Sequence, residues 1–401
     1  MTTDSISPID GPESAPLHGV HVVELGVWVA GPAVAAVMAD WGADVVKVEA
    51  PHGDPMRHTS QVGDTGINPP FEMDNRGKRS VVLDVGREAG RAALDRLLAD
   101  ADVFVTNLRP ATLERWALDP ASLTARFPRL VVATLTGYGE RGPDRDRPSY
   151  DMGGFWARSG AADAHSVNGE PPLLRGAYGD HTTSMALVAG INAALLARER
   201  TGRGRHVATS LLRAGMYVVG QDVTYLQRIG HWFPFGRQEA TNVLFNCYRT
   251  QDDRWLWLLA LQPDRHWPNL AVAVGRPEWL ADDRYETHVV RREHKDELRE
   301  ELDTIFATRT LAEWATILDD AGMWWEPVLT IEEAVAQEQA QAMDVLVSVD
   351  GPDGPMVSAA SPIDFDGTSR MQTRGVPALG EHSREVLRAV GYTDAEIDDL
   401  T

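Results

Sequence analysis

The sequence predicts an α/β protein, with a large domain on a mostly parallel sheet and a smaller α+β domain inserted into it. Two observations carry this reading. From Gly19 onward, short β-branched runs alternate with helical segments, the rhythm of parallel strands covered by helices. After Gly230 that rhythm stops and an alternating hairpin pattern begins.

Val20-His-Val-Val-Glu-Leu25 reads as a buried strand, followed by a small-residue helix from Gly31 to Trp41. Ala43-Asp-Val-Val-Lys-Val-Glu49 is the next strand and stops at Pro51. Three more strands are predicted at 80–84, 103–106 and 130–135, with helices at 86–100 and 110–118 between them. A long apolar helix spans about 182–200, followed by a Gly202-Arg-Gly204 turn, a short strand near 205–209 and a helix near 210–228. Residues 242–249 and 254–261 alternate around Gln251-Asp-Asp-Arg254 as a hairpin, and helices follow at 263–274, 294–307 and 310–321. The expected organisation is a loose tail over 1–16, a large domain over 17–227, a small domain over 228–326, and a return to the large domain over 327–401. A helix near Ser383 to Val390 closes the chain.

A 401-residue chain that is 43% apolar can bury a large core. Its net charge of -21 argues against nucleic acid and anionic membrane surfaces as partners. No apolar run approaches the roughly 20 residues that span a bilayer, and Met1 to Pro16 lacks the pattern of a signal peptide. A single cysteine, Cys247, rules out an internal disulfide and fits a reducing cytoplasm. It reads as a buried structural thiol. Lysine is scarce, which sets the Lys78-Arg79 pair apart in so acidic a chain.

The segment Leu174-Arg-Gly-Ala-Tyr-Gly-Asp-His-Thr-Thr-Ser184 places Asp180 behind Gly179 at the mouth of the long helix. One reading makes Asp180 an N-cap that accepts from unpaired helix N–H groups. The other makes it a nucleophile, kept ionised by the positive helix end, with Gly179 allowing a substrate close approach. His181 reads as a solvated or first-turn side chain. Gly137-Tyr-Gly-Glu-Arg-Gly142 matches the dinucleotide fingerprint G-x-G-x-x-G, but that motif must open a helix. Pro143 and Pro148 deny one here, which weakens the rival reading of a nicotinamide oxidoreductase. Of the twelve tryptophans, Trp28 follows the first strand and Trp324-Trp325 lies at the proposed domain junction, positions that favour pocket walls.

Together these segments resemble the family III CoA-transferases, which include the α-methylacyl-CoA racemases. The landmarks are Leu17-His-Gly-Val-His-Val-Val-Glu-Leu25, Ala30-Gly-Pro32, Gly42-Ala-Asp-Val-Val-Lys-Val-Glu49 and Gly53-Asp-Pro55. They continue with Asn75-Arg-Gly-Lys-Arg-Ser80, Val105-Thr-Asn-Leu-Arg-Pro110, Thr136-Gly-Tyr-Gly139, Tyr150-Asp151, Gly179-Asp180 and Pro377-Ala-Leu-Gly-Glu-His382. The resemblance implies a Rossmann-like large domain, an inserted small domain and two identical subunits interlocked like chain links. It also implies that Asp180 is the nucleophile, passing through an acyl anhydride and an aspartyl-CoA thioester. Backbone N–H groups near Gly179 would stabilise the oxyanions. No permanent cofactor is implied; CoA arrives and leaves as acyl-CoA. By position, Asn75, Lys78, Arg79, Asn107, Leu108, Arg115 and Arg57 are the CoA-contact candidates, the cations meeting its phosphates.

Two departures bear on the reaction. The family's racemases carry a histidine where this chain has Tyr150, and a tyrosine of ordinary pKa near 10 is a poor two-way proton carrier. The oxalate-using members carry a glutamine before Ala-Gly-Pro; here Val29 stands there beside Trp28, which points to a bulkier, less polar acid. Tyr150 and Asp151 would position the acyl group. The sequence therefore reads as a cytoplasmic CoA-transferase. The alternatives are a racemase on the same scaffold and a non-catalytic CoA-ester-binding subunit.

Overall fold

The computed structural model describes residues 15–63, 65–234, 236–351, 354–366 and 374–400. They form two compact units, one of Met1–Gly230 with Glu338–Thr401 and one of His231–Gln337.

The first unit is built on six parallel strands, β1 (His21–Leu25), β2 (Asp44–Glu49), β3 (Arg79–Val82), β4 (Val103–Thr106), β5 (Val131–Thr136) and β6 (His206–Ser210). Their order across the sheet is β3-β2-β1-β4-β5-β6. The β-branched runs are buried on both faces, as a sheet covered by helices requires. The connections between the strands contain α1 (Ala30–Asp40), α2 (Met56–Thr59), α3 (Pro69–Asn75), α4 (Glu88–Ala99), α5 (Pro110–Arg115), α6 (Pro120–Arg126), α7 (Ala161–Ala164) and α8 (Tyr178–Thr201). After β6 come α9 (Leu211–Val218) and α10 (Gly220–Ile229). Strand order reverses between β1 and β4, so their carboxyl ends diverge and leave a crevice, the usual ligand site in an open α/β sheet. One core packs α1 and α8 against one face of the sheet, with Val34, Met38, Leu187 and Ile191 fully covered. A second core packs α4 on the other face.

Several elements differ from the sequence reading. The helix expected over 110–118 ends at Arg115, because Ala117 turns left-handed (φ 54°), and a separate helix, α6, capped by Asp119, follows it. The helix expected over 210–228 breaks at Val219. A turn of π-helix at Met152–Ala157 and an antiparallel hairpin, β10 (Leu346–Gly351) with β11 (Gly354–Ala359), were not foreseen. Of the expected tail, 1–14 lie outside the described residues. Ala15 is no tail residue: it is buried, and its methyl occupies the space where a side chain on Gly42 would go.

The second unit holds the expected hairpin, β7 (Phe245–Arg249) with β8 (Trp255–Leu259), to which β9 (Trp325–Pro327) adds antiparallel. The boundary expected at 326 is therefore too early. The next helix, Ile331–Ala336, is also tied to this unit, since Arg254 grips Glu333 through two nitrogens at 3.0 and 2.7 Å. Trp325 lies within this sheet and donates its indole N–H to Asp319. Cys247 is half-buried and burial pushes its thiol pKa up, as an unreactive thiol requires. Among the described residues, no helix is long and apolar enough to cross a membrane.

Candidate active site

Two cavities open at the carboxyl edge of the sheet, one on each side of the strand-order reversal. The first, about 370 Å³, is walled by Val27–Ala30 after β1, Asn107–Arg109 after β4, Leu135–Gly137 at the end of β5, Pro148–Tyr150 and Leu211. Asp180 completes its lining. The second, about 450 Å³, is formed by the ends of β1, β2 and β3, with Leu108 and Trp116. Val27 and Leu108 border both, so the two cavities adjoin.

α8 begins at Tyr178, earlier than its apolar pattern indicates, and Asp180 therefore lies inside the first turn instead of capping it. The N-cap is Ala177, which makes no side-chain cap bond. Capping falls to Asp151, whose Oδ2 accepts from the Gly179 N–H at 3.2 Å and whose carboxylate also faces the N–H groups of Ala177 and Asp180. Among the described residues, nothing donates to the Asp180 carboxylate, which is left to the cavity. Burial, and then the like charge of Asp151, push its pKa up to about 7. The adjacent His181 opposes this: its Nε2 lies 3.0 Å from Asp74, which holds the imidazole above its usual pKa against the effect of burial. His181 thus lies in the first turn of α8, as one of its two readings had it, part-exposed and anchored on Asp74.

Gly179 is buried, and its role differs from the one expected. A Cβ there would come within 2.3 Å of both Asp151 Oδ1 and the Phe155 ring. The missing side chain makes room for the capping carboxylate rather than for a substrate. Its N–H, taken by Asp151, is not available to an oxyanion.

Trp28, Val29 and Tyr150 all line the Asp180 cavity, and the Trp28 and Tyr150 rings meet edge-on at 5.5 Å. Asn107 bridges the strand-order reversal by accepting from Val27 N–H at 3.0 Å and donating to its carbonyl at 2.6 Å. Arg115 is exposed beside Trp116 of the second cavity. Leu108 borders both cavities, but the four remaining CoA-contact candidates are committed elsewhere. Lys78 is fully buried on Glu24, Asn75 and the Pro32 carbonyl, and burial, despite Glu24, lowers its pKa to about 8. Asn75 is buried as its partner, and Arg79 pairs with Asp44 and Glu385. Arg57 holds Glu49 with two bonds of 2.8 Å and lies over Phe71. None of these four lines either cavity.

Sequence reasoning missed Glu24, Lys47 and Asp54, which form a buried ion cluster whose Asp54 borders the second cavity. A signal was present. Glu24 and Lys47 interrupt β-branched runs of a sheet buried on both faces, where a charge requires a partner.

Residues 17–383 match CoA-transferase family III. The chain is 32% identical over 393 residues to (R)-2-hydroxy-4-methylpentanoate CoA-transferase of Clostridioides difficile, covering 96% of this chain and 98% of that one. It is 32% identical to cinnamoyl-CoA:phenyllactate CoA-transferase of Clostridium sporogenes, covering 95% of each. Among solved structures, a CAIB/BAIF family protein from Brucella suis superposes with a TM-score of 0.83 at 28% identity, over 94% of this chain and 99% of that one. With a matching sheet, a matching family region and relatives of nearly equal length, the chain belongs to family III of the CoA-transferases.

Proposed function

We propose that this enzyme transfers CoA between acyl-CoA and a carboxylic acid bearing a bulky apolar group, with Asp180 as covalent nucleophile. The observation that carries the reading is the division of labour between two carboxylates: Asp151 caps α8, which leaves Asp180 unbonded in the cavity. An Asp180 oxygen attacks the donor thioester carbon, the C–S bond breaks, and CoA thiolate leaves behind an acyl-aspartyl anhydride. The thiolate attacks the Asp180 carbonyl, releasing the donor acid as its carboxylate and forming an aspartyl-CoA thioester. The acceptor carboxylate then attacks that carbonyl and expels the thiolate, giving a second anhydride. Attack of the thiolate on the acceptor's acyl carbon yields the new acyl-CoA and frees Asp180. Every step exchanges one acyl bond for another, so no redox change is needed.

The acid class is supported by the apolar wall of Val27, Trp28, Val29, Leu135 and Leu211. Two relatives, named for branched and aromatic 2-hydroxy acids, agree with it. The adjoining cavity at β1–β3 is the proposed CoA site, with Leu108 shared between the two and Arg115 at its Trp116 side. Tyr150, in place of the racemase histidine, favours transfer over proton exchange. A chiral 2-methylacyl-CoA in heavy water with an added acid should lose its CoA to that acid and keep its α-hydrogen. Deuterium entry at the turnover rate would select the racemase reading instead.

The interlocked homodimer is part of the proposal. α10 buries none of its residues within the chain, and Tyr217 and Leu226 stand exposed, an apolar surface of the kind a second subunit covers. Sedimentation at nanomolar protein should still show a dimer, because interlocked chains separate only by unfolding. A folded monomer there would exclude that architecture.

A further inference from the structure

Two non-glycine residues beside Asp180 hold left-handed backbone, Trp28 at φ 68° and Ala177 at φ 78°. Residues with a Cβ rarely adopt this conformation unless their surroundings impose it. Both pack on one small apolar cluster of Val29, Met56 and Phe71. Trp28 walls the acid cavity, and Ala177 is the residue from which α8 starts.

Trp28 is held by Asp54. Its Oδ1 accepts from the N–H groups of Trp28 at 3.0 Å and Met56 at 2.9 Å, while its Oδ2 accepts from Lys47 Nζ at 3.0 Å. Lys47 also donates to Glu24 at 2.8 Å and to the Gly26 carbonyl at 3.2 Å, and Lys78 closes on the other oxygen of Glu24 at 2.7 Å. Asp54 is 1% exposed, and Glu24, Lys47 and Lys78 are fully buried. One buried chain of charges thus links β1, β2 and the approach to β3, and ends on the backbone of the cavity wall. Burying such a cluster costs desolvation that apolar side chains would avoid, so stability alone is a poor reason for it; fixing one conformation is a better one.

Resting on the reading of Asp180 as the acyl-accepting group, we infer that Asp54 is a positioning residue that determines acid specificity. By clamping the Trp28 and Met56 N–H groups, it holds the indole where the side chain of the acid must lie. Asp54 borders the adjoining cavity at β1–β3 but does not line the acid cavity, and it acts on the acid through Trp28.

The test compares kcat/KM for 3-phenylpropanoate with that for propanoate, using one acyl-CoA donor, in the parent, D54N, W28G and the double variant. D54N is expected to lower the aryl-to-alkyl ratio about tenfold, the scale of a lost apolar contact. W28G should do the same, and adding D54N to W28G should lower the ratio no further. A purely structural role would depress both acids alike and leave the ratio in place. An unmoved ratio in folded D54N, or a further drop in the double variant, would overturn the inference. If D54N does not fold, W28G decides alone, since a parent-like ratio there is incompatible with the clamp. Hydroxylamine trapping of the acylated parent tests Asp180 separately: failure to trap sinks that reading, whereas an unmoved ratio in an enzyme that traps normally sinks only the clamp.

Discussion

Asp180→Ala is expected to abolish CoA exchange, with a loss of at least about a thousandfold in kcat/KM, because Asp180 is the carboxylate among the described residues lining the cavity, and an anhydride requires one. The fold should survive. Asp180 makes no cap bond, so the usual cost of about 1 kcal/mol for losing a cap does not apply. Asp180→Asn should melt no lower than the parent at pH 8. Its carboxyl pKa is raised from 3.8 to about 7, so the folded state binds this proton more tightly than the unfolded chain does. Ionisation therefore costs stability as pH rises through that window, and the cost is fully present above pH 7. Removing the charge removes the cost. Turnover of the alanine variant within about tenfold of the parent would end the nucleophile assignment.

Activity is expected to climb about tenfold per pH unit up to about pH 7 and to level off above pH 8, because only the ionised carboxyl attacks a thioester. The sign follows from the site. Burial and the neighbouring Asp151 charge favour protonated Asp180, while the cationic form of His181 opposes them. His181→Gln should accordingly move the midpoint upward, leaving the same plateau in alkaline buffer. The measurement is kcat/KM against pH, with a donor whose own groups do not titrate between pH 5 and 9. A rate that is flat or falling from pH 6 to pH 8 would contradict the raised pKa.

The parallel sheet was legible because its signal is local. A β-branched run such as 43–49 and the small-residue helix after it repeat at periods that any parallel α/β layer imposes. The Gly-Asp pair was legible too, since a glycine and a carboxylate at a helix mouth is a short-range pattern. The π-helical turn at Met152–Ala157 was not, because its wide turn is fixed by close packing of Gly154 and Gly215 against neighbouring elements. Cationic residues misled for a related reason. Lys78 and Arg57 have the right charge for a phosphate, but charge in a sequence does not say which carboxylate is already within reach.

By itself, then, the sequence determined the α/β class, the order of the strands along the chain, the family resemblance and the candidate nucleophile. All of these depend on neighbours within a few residues or on short motifs in a recognisable order. The tertiary structure alone decided which carboxylate caps α8, which leaves Asp180 free, and which cations are spent in the interior. Asp151 reaches Gly179 from 28 residues away and Asp54 reaches Trp28 from 26. Such pairs are brought together only when helices and loops pack onto the sheet, and burial then sets the cost of leaving either partner unpaired.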